Sequence, residues 1–511
     1  MIAKINSVGL SGIQGFLIQA ETDVSPGIPA WEIVGLPDVA VRESKERIRT
    51  ALKHAGFQIP GKRIVVNLAP AGIKKEGAYL DLPIAIGILI SSGQLNLTDT
   101  GNMAFFGELS LDGRLRPVNG ALPMAIMAYQ SGTNKIYLPK ENASEAAVVS
   151  GLEVYGIETL SELVMYITGE KTLEPCRVDT EVLFKRAAES SLDFSEVKGQ
   201  KNAKRALEVA AAGGHNVLLI GPPGSGKTML AQRIPSILPD LNFDEALEIT
   251  KVHSIAGKLK KNQPMVLSRP FRSPHHTVSA VGLTGGGQSP KPGEISLAHH
   301  GVLFLDELPE FKKDALEILR QPLEDGVVSI TRASGTYAFP CNIMLVASMN
   351  PCPCGYYGDK THDCGCSPSQ IKKYLGKVSG PLLDRIDLHI EVSAVPYEEL
   401  EKKKEKSESS AVIKERVNRA REIQTKRYKG TGIYSNSQLT AGMMDEVCHL
   451  GHDASELLRQ AYENLGLSAR AHNRILKVAR TIADLNGSKD IEAAHLAEAI
   501  QYRSLDRKFW A

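Results

Sequence analysis

The sequence predicts an α/β protein built from an N-terminal α+β domain, a parallel α/β core and a C-terminal helical lid. A chain of 511 residues exceeds one ordinary hydrophobic core, so two or three domains are expected. From about 193 to 395, short apolar strands alternate with longer segments, which is typical of a parallel sheet covered by helices. The chain is then helical in pattern, most clearly over 467–485.

The expected domain boundaries follow these changes in pattern. We expect one domain over 1–170, a connector over 171–192, the α/β core over 193–400 and the helical part over 401–511. The charged, low-complexity run at 401–410 indicates a solvated helix end or a linker.

Three segments of the N-terminal domain have clear periodicity. Apolar residues recur at helical spacing from Val41 to Ala55 and stop at Gly56, which predicts a helix. Residues 63–70 predict a buried strand, and the mostly apolar run at 81–90 is long enough for a core helix. The first helix has cations at helical spacing, which form either a basic face or an ordinary solvated surface: Arg42, Lys45, Arg49 and Lys53.

A phosphate-binding loop follows the first strand of the core. Residues 221–228 fit the pattern GxxxxGK[ST], directly after an apolar strand at 216–220 and before a helical segment. The glycines let backbone N–H groups turn toward phosphate, and the helix N-terminus favours negative charge. Lys227 is expected to reach the β- and γ-phosphates and Thr228 to ligate Mg²⁺, so the loop predicts ATP binding. The loop consists of Gly221, Pro222, Pro223, Gly224, Ser225, Gly226, Lys227 and Thr228.

Two further core strands end in polar side chains. Asp306 and Glu307 follow the strand at 302–305, and Asn350 follows a strand at 343–348. Because ligands bind at the carboxyl ends of strands in open α/β sheets, Asp306 is expected in the Mg²⁺ shell and Glu307 beside the attacking water. Asn350 is suited to orienting that water. The simpler alternatives are a helix-capping Asp-Glu pair and a turn asparagine.

Two arginines complete the predicted catalytic set. Arg385 lies in SGPLLDRIDLH and Arg470 in LSARAHNRIL. A guanidinium on the developing phosphoryl charge accelerates hydrolysis and is often supplied by a neighbouring subunit. The alternative for Arg385 is local ion pairing with Asp384 or Asp387.

Composition restricts the remaining classes of function. The formal net charge is +2, so contacts with nucleic acid must come from local basic patches. The first residues do not resemble a signal peptide, and no stretch is apolar for long enough to span a bilayer. Four of the seven cysteines crowd between 352 and 366, which favours a metal site in a reducing compartment, the cytoplasm.

The crowded cysteines form two C-x-C pairs. Four thiolates close a tetrahedral zinc shell of structural type, although this spacing is tighter than the common C-x2-4-C. Free thiols in a loop and a redox pair are the alternatives. The predicted ligands are Cys352, Cys354, Cys364 and Cys366.

Contacts with DNA are expected at two places in the core. The segment 326–346 predicts a hairpin with Ser334-Gly335 at its tip, and Arg332 is its only cation. The insertion between Thr250 and Arg272 has cations that contact phosphate without reading sequence, or that are plain surface charge. They are Lys251, Lys258, Lys260, Lys261 and Arg269. The histidine pairs at 275–276 and 299–300 lack a third ligand at sensible spacing and are expected to be structural.

The order of phosphate loop, Asp-Glu, Asn and two arginines resembles an AAA+ ATPase, a class that works as rings, usually hexamers. The motifs at 272–287, 292–311 and 379–392 resemble the magnesium-chelatase-like branch, and the whole chain resembles the ComM/YifB family. Characterised members of that family are DNA branch-migration helicases in natural transformation. The resemblance implies that Arg385 is an arginine finger acting on the neighbouring subunit and that Arg470 is the lid arginine. Arg474 is the competing choice for the lid.

The N-terminal domain resembles the proteolytic domain of Lon and its relative in the RadA recombination ATPase. The motifs lie at 74–89, 106–128 and 136–142. The serine position of Lon falls on Asp81 and the lysine position on Pro123, so the nucleophile and base of a protease are missing. We expect a domain that stabilises a ring or guides DNA.

Three functions compete. The leading hypothesis is an ATP-driven motor on branched or duplex DNA, active in recombination. A magnesium-chelatase-type subunit that remodels a protein partner is second, because its ATPase motifs are the same. An ATP-switched adaptor ranks last, because it would tolerate a weak Glu307 and Arg385, whereas both residues are present.

Overall fold

Two sheets organise the chain, one in the N-terminal part and one in the core. The computed structural model describes residues 2–185, 192–332, 335–359, 362–395, 407–465 and 468–510. The predicted α/β class is confirmed.

The first sheet is mixed and has seven strands in the order β3-β4-β2-β1-β5-β8-β9. The long hairpin of β1 and β2 is antiparallel, whereas β5, β8 and β9 run parallel to one another and β5 to β1. A two-stranded ribbon, β6 and β7, lies beside it. The strands are β1 Ala3–Ser11, β2 Gln14–Ser25, β3 Ala30–Val34, β4 Arg63–Ala69, β5 Met103–Phe105, β6 Glu108–Leu109, β7 Leu115–Arg116, β8 Lys135–Pro139 and β9 Glu153–Ile157.

Helices cover this sheet as the apolar periodicity predicts. The Asp38 carboxylate accepts a hydrogen bond of 2.8 Å from the Val41 amide and starts the first helix. The second helix is buried from Asp81 to Ile90, because it lies against the sheet and the first helix. The helices are α1 Val39–His54, α2 Asp81–Ser91, α3 Ala121–Gln130, α4 Lys140–Ala146, α5 Leu160–Ile167 and α6 Thr180–Lys185.

The core sheet is parallel, with five strands in the order β11-β14-β17-β10-β18. Every residue of β10, β14 and β17 is buried, as expected for strands covered on both faces. The strands are β10 Val217–Ile220, β11 Phe271–Arg272, β14 Val302–Leu305, β17 Met344–Met349 and β18 Leu388–Glu391, with short ribbons β12 Gly285–Gly286 and β13 Lys291–Pro292. All carboxyl ends meet at one edge, which therefore collects the loops that follow the strands.

Nine helices accompany the core sheet among the described residues. They are α7 Lys201–Gly213, α8 Lys227–Arg233, α9 Phe243–Ile255, α10 Ala280–Thr284, α11 Glu294–Leu297, α12 Lys313–Glu317, α13 Pro322–Asp325, α14 Pro368–Leu375 and α15 Gly380–Leu383. The predicted hairpin is present as β15 Val327–Arg332 and β16 Gly335–Pro340, with Arg332 opposite Gly335. Ser334, at its expected tip, lies outside the described residues.

The C-terminal part is helical, as predicted. Its helices are α16 Ser410–Arg427, α17 Ala441–Val447, α18 His452–Leu465, α19 Ala469–Leu485, α20 Ala493–Gln501 and α21 Leu505–Trp510. Of the charged run at 401–410, residues 401–406 are outside the described ranges, and α16 begins at Ser410. The last helix returns to the core, where its residues Leu505 and Phe509 are buried. In the described ranges, no helix has the length and apolarity needed to cross a bilayer.

The N-terminal part docks on the core through α3 and α9. Leu122 N donates a 2.9 Å hydrogen bond to Glu145 Oε1, and the Ser254 hydroxyl donates to the same oxygen. The Gly120 amide donates to the Ser254 carbonyl at 3.2 Å. Burial raises the pKa of Glu145, and these donors satisfy the carboxylate at the interface.

Candidate active site

The phosphate loop has the backbone that its glycines permit. Gly224 and Gly226 have φ of +74° and +89°, in the left-handed region that disfavours other residues. A Cβ at Gly221 would lie 2.1 Å from the Val392 carbonyl oxygen, so only glycine fits between the loop and the end of β18. The loop then enters α8 at Lys227, which directs the helix N-terminus at the space above the loop.

Lys227 occupies the position expected of a phosphate ligand. Its Nζ donates to the carbonyls of Gly221 at 2.8 Å and Pro222 at 2.9 Å, and to Asn350 Oδ1 at 3.1 Å. Burial lowers the pKa of Lys227, although nearby Asp306 and Glu307 act in the opposite direction. A phosphate oxygen is a stronger partner for this ammonium than neutral carbonyls are.

The loop also has an unpaired polar atom. The buried Ser225 hydroxyl has no hydrogen-bond partner within the described part of the chain. Gln200 Nε2 holds the same residue from behind by donating to its carbonyl at 3.2 Å. A buried hydroxyl without a partner is costly unless a ligand supplies one, so the loop fits a bound triphosphate.

The magnesium ligands are already adjacent. Thr228 Oγ1 donates to Asp306 Oδ2 at 2.8 Å, and the Ser348 hydroxyl donates to the other carboxylate oxygen, Oδ1. The Glu307 amide also donates to Oδ1, at 3.1 Å. A hydroxyl and a carboxylate at this distance are suitable oxygen ligands for one Mg²⁺ that keeps several waters.

Glu307 lies at the turn after β14 with a φ of +54°. This left-handed backbone is unusual for glutamate and is typical of functional sites. His276 Nδ1 lies 3.6 Å from Glu307 Oε2, so one of the histidines expected to be structural faces the predicted base. Asn350 follows β17, the strand next to β14 in the sheet, and completes this half of the site.

The three arginines lie at the opposite edge of the sheet. Arg385, Arg470 and Arg474 line a cavity of about 720 Å³ with Asn216 and Asp387, which precede β10 and β18. A four-residue strand spans about 13 Å, so this cavity is separated from the phosphate loop of the same chain by the depth of the sheet. The predicted catalytic residues thus form two groups at opposite edges.

The arginines have different local partners from those considered in the sequence. Arg385 pairs with Glu324 and donates to the Pro381 carbonyl at 2.8 Å. Asp384 lies 4.0 Å from Arg470, and Asp387 lies 3.3 Å from Arg474. The Arg470 side chain is 63% exposed, and that of Arg385 only 13%.

A second polar cluster joins α9 to the turn before β14. His299 Nε2 and His300 Nε2 lie 3.1 Å and 2.8 Å from Glu248 Oε2. Glu248 is thus a third candidate metal ligand beside the histidine pair, and it is 51 residues from His299 in the chain. His299 Nδ1 accepts a hydrogen bond from the Asn342 amide at 3.0 Å. Its proton must therefore lie on Nε2, where it points at Glu248 and blocks coordination. The structural interpretation of this pair is retained.

The four cysteines of the predicted metal site are together. Sγ atoms of Cys352, Cys354 and Cys364 are 3.3, 3.6 and 3.7 Å apart, and all four lie within 4.8 Å of one another. A tetrahedral shell with bonds of about 2.3 Å has sulfurs about 3.8 Å apart. The Tyr357 amide donates to Cys352 Sγ at 3.3 Å. This donor set fits a single zinc ion.

The cations expected to contact DNA differ in exposure and in their local partners. Lys258 and Lys260 are exposed, whereas Lys261 Nζ lies 3.4 Å from Glu141 of the N-terminal part. Arg332 lies against the glycine-rich ribbon at Gly286. Arg269 is buried against Glu245 and does not face solvent.

Asp81, at the position expected to correspond to the serine of Lon, forms an ion pair. Arg47 donates to both oxygens of Asp81, at 2.9 and 3.1 Å, and the Leu109 amide donates at 3.2 Å. Burial raises the pKa of Asp81 to about 6. Pro123 is buried in α3. Of the four cations at helical spacing considered for a basic face on α1, Arg42, Arg49 and Lys53 are exposed and Lys45 is half-buried.

Sequence reasoning missed Ser348, Gln200 and the site role of His276. Ser348 lies inside an otherwise apolar strand. The only feature of the sequence that could have indicated its role is its position two residues before Asn350. Gln200 lies 25 residues before Ser225 and gave no local signal. His276 lies within the motif at 272–287 that resembles the magnesium-chelatase-like branch, and this motif could have indicated its role.

Comparison with known proteins covers nearly the whole chain. Residues 193–400 match the family described as magnesium chelatase, subunit ChlI; residues 20–142 match subunit ChlI of Mg-chelatase, and 407–503 match the ChlI C-terminal family. The chain is 45% identical over 510 residues to competence protein ComM of Haemophilus influenzae, covering 99% of this chain and 98% of that one.

Two further relatives extend the comparison. The uncharacterised protein YifB of Escherichia coli is 43% identical over 496 residues, covering 97% of this chain and 96% of that one. Lon protease 2 of Bacillus subtilis is 28% identical over 145 residues, which are 27% of this chain and 26% of that protein, and the similarity is N-terminal. The family implies ATP and Mg²⁺, which the phosphate loop and the Thr228–Asp306 pair fit. The chain belongs to the ComM/YifB family of magnesium-chelatase-like AAA+ ATPases.

Proposed function

We propose that this protein is a ring-forming motor, a hexamer, that couples ATP hydrolysis to movement on DNA. Its task is branch migration or unwinding during recombination, in the cytoplasm. The observation that carries the proposal is the separation of the predicted catalytic residues into two groups at opposite edges of one sheet. Neither group is sufficient alone, so a neighbouring copy is required.

The first group binds the nucleotide. Lys227 neutralises the β- and γ-phosphates, while Thr228 and Asp306 hold Mg²⁺. Glu307 polarises the attacking water, and Asn350 orients it against the γ-phosphate. The present hydrogen bonds support these roles, because Lys227 already contacts Asn350 and Thr228 already contacts Asp306.

The second group serves the next subunit. Arg385 stabilises the charge that develops on the transferred phosphoryl group of the neighbour. Arg470 lies on the same side as Arg385, so we assign it to the neighbour's nucleotide as well. Arg474, the competing choice for the lid arginine, is paired with Asp387 in the same cavity. Ring closure then makes hydrolysis depend on the relative position of two subunits, which is how a ring converts hydrolysis into motion.

DNA is the proposed track. The hairpin of β15 and β16 and the exposed lysines of the insertion contact the phosphate backbone without reading sequence. The residues assigned are Arg332, Lys258, Lys260 and Lys261, the last shared with Glu141. The relative named a competence protein supports a role in natural transformation.

The remaining parts are structural in this proposal. The domain over 1–170 has no serine–lysine pair and stabilises the ring or guides DNA. The connector at 171–192 joins it to the ATPase core over 193–400, and the helical lid over 401–511 presents Arg470. Cys352, Cys354, Cys364 and Cys366 bind one structural zinc.

Turnover and strand exchange test this function. ATP hydrolysis is measured with and without branched DNA, and strand exchange is measured on a four-way junction. We expect stimulation by DNA and exchange in the wild type, and neither in Lys227→Ala or Glu307→Gln. ATP turnover that ignores DNA, with no exchange, would favour the second candidate, a magnesium-chelatase-type motor that remodels a protein, which the match to subunit ChlI supports.

A further inference from the structure

The cysteine cluster lies beside the phosphate loop. Cys352 comes two residues after Asn350, whose side chain accepts the hydrogen bond from Lys227 at 3.1 Å. The second cysteine pair leads into α14, whose first turn is capped by Ser367. A metal that joined both pairs would therefore fix the chain between the Asn350 side chain and a packed helix.

Gly355 lies in the cysteine loop, the described residues between Cys352 and Cys366, and packs against the phosphate loop. Gly355 has a φ of +89°, and a Cβ at that position would lie 2.5 Å from Pro223 Cδ and 2.7 Å from Pro223 Cγ. A side chain therefore does not fit between the two loops, and the backbone at Gly355 packs closely against Pro223. Pro223 belongs to the phosphate loop, so this packing joins the two loops.

The other side of the cysteine loop packs on the end of the chain. The ring centroids of Tyr357 and Phe509 are 6.3 Å apart in a T-shaped, edge-to-face arrangement, and Phe509 is buried in the core. A cavity of about 260 Å³ lies between the phosphate loop, the cysteine loop and α21. Pro222, Tyr357 and Phe509 contribute to its walls, so the cysteine loop lies beside both the phosphate loop and the last helix.

We propose that zinc at the four cysteines sets the affinity of the phosphate loop for nucleotide, acting through the contact between Gly355 and Pro223. This inference rests on the proposed nucleotide site and adds a regulatory role to the metal. With zinc bound, the two cysteine pairs are held together and Gly355 supports Pro223. Without zinc, four thiols replace the coordinated thiolates, and the residues around each pair regain conformational freedom. The phosphate loop then loses its support.

The experiment measures metal content and nucleotide binding on the same samples of the full chain. Zinc is quantified by mass spectrometry of the purified protein, and nucleotide affinity by titration with a fluorescent ATP analogue. We expect one zinc per chain in the wild type, and less than a tenth of that in the double variant Cys364→Ser/Cys366→Ser. Its dissociation constant for the analogue should be about tenfold higher.

A glycine substitution separates coupling from metal binding. Gly355→Ala keeps all four thiols but introduces a Cβ against Pro223, so it should keep zinc and still weaken nucleotide binding about tenfold. The matched control is Gly365→Ala, where a Cβ meets no described atom within 4 Å. Cys176→Ser, outside the cluster, is the control for the thiol changes. Both controls should match the wild type in zinc and in affinity.

The outcomes distinguish this inference from the proposed function. A wild-type chain without zinc overturns the inference and leaves the ATPase untouched. Zinc-loaded protein whose nucleotide affinity is unchanged in Gly355→Ala and in the double cysteine variant also overturns it. A zinc-loaded wild type that binds no nucleotide contradicts both. Thermal unfolding of every variant identifies any that fail to fold. If the cysteine variant fails to fold, nucleotide affinity is instead compared in the wild type after zinc is removed and after it is returned.

Discussion

Thr228 and Asp306 are 78 residues apart in the chain and are joined by a hydrogen bond of 2.8 Å from Thr228 Oγ1 to Asp306 Oδ2. Thr228 lies in the first turn of α8, at the end of the phosphate loop, and Asp306 directly follows the strand β14. The Thr228 hydroxyl and the Asp306 carboxylate, the two expected protein ligands of Mg²⁺, are thus held together by a direct hydrogen bond. The hydroxyl of Ser348 fixes the carboxylate from its other oxygen.

Ser348→Ala should weaken the use of magnesium. Loss of its hydrogen bond leaves Asp306 free to rotate, and partners of metal-binding groups change metal affinity by about 10- to 100-fold when removed. We expect the Mg²⁺ concentration for half-maximal ATP turnover to rise about tenfold. Ser296→Ala is the matched control, because that buried hydroxyl has no partner in the described ranges. Equal effects of both substitutions would contradict this role for Ser348.

Glu307→Gln should separate binding from hydrolysis. The amide preserves size and contacts but cannot polarise water as a carboxylate does, so turnover should fall by about 10²- to 10⁴-fold. Affinity for the fluorescent ATP analogue should remain within about twofold. Glu310→Gln, an exposed neighbour paired with Lys377, is the control and should retain full turnover. Wild-type turnover in Glu307→Gln would remove this residue from the catalytic set.

Arg47→Met should destabilise the N-terminal part. It leaves the fully buried Asp81 carboxylate without its partner, a change that costs about 3–5 kcal/mol in buried ion pairs. Arg49→Met, on the same helix with a 55% exposed side chain, should change the free energy of unfolding by less than about 0.5 kcal/mol. Denaturant titration measures both. Similar stabilities of the two variants would show that the pair at Asp81 does not hold the fold.

His299 predicts a loss of stability in acid. Burial lowers the pKa of His299 to about 4, whereas an unfolded histidine has a pKa of about 6.5. Between these values the unfolded chain binds a proton that the folded chain does not, so the free energy of unfolding falls as pH falls, by about 1.4 kcal/mol per pH unit.

The measurement compares unfolding at pH 7 and pH 5. His299 should account for about 2 kcal/mol of the difference in the wild type. His299→Gln, whose amide still donates to Glu248, should lack this contribution. Hydrogen bonds from His299 and His300 hold the pKa of Glu248 well below its usual range, so that carboxylate stays charged over the same interval. An equal acid loss in wild type and variant would contradict the assignment.

The sequence predicted those parts of the site that depend on local pattern. The phosphate loop was predictable because glycine spacing, the preceding strand and the following helix are contiguous. Asp306 and Asn350 were predictable because parallel strands bring their carboxyl ends to one edge. The parallel sheet of the core and the C-terminal helices followed from apolar periodicity.

Contacts between distant segments were not predictable. Glu324 pairs with Arg385 across 61 residues, and Glu248 meets His299 across 51, and neither acid has a local signal. Ser348 has the same sequence context as a core strand residue. The position of Arg470 beside Arg385 depends on how the helical part packs on the core, which no helical pattern specifies.

Mixing two inactive variants tests the central claim that one catalytic site is completed by two subunits. Glu307→Gln lacks the base and Arg385→Ala lacks the finger, and each alone should turn over ATP at least about 100-fold more slowly than wild type. In mixed rings, some interfaces combine an intact Glu307 with an intact Arg385 from the neighbour. We expect equimolar mixing to restore roughly a quarter of wild-type turnover, on the assumption of random assembly. Turnover that stays at the level of the separate variants would contradict the account.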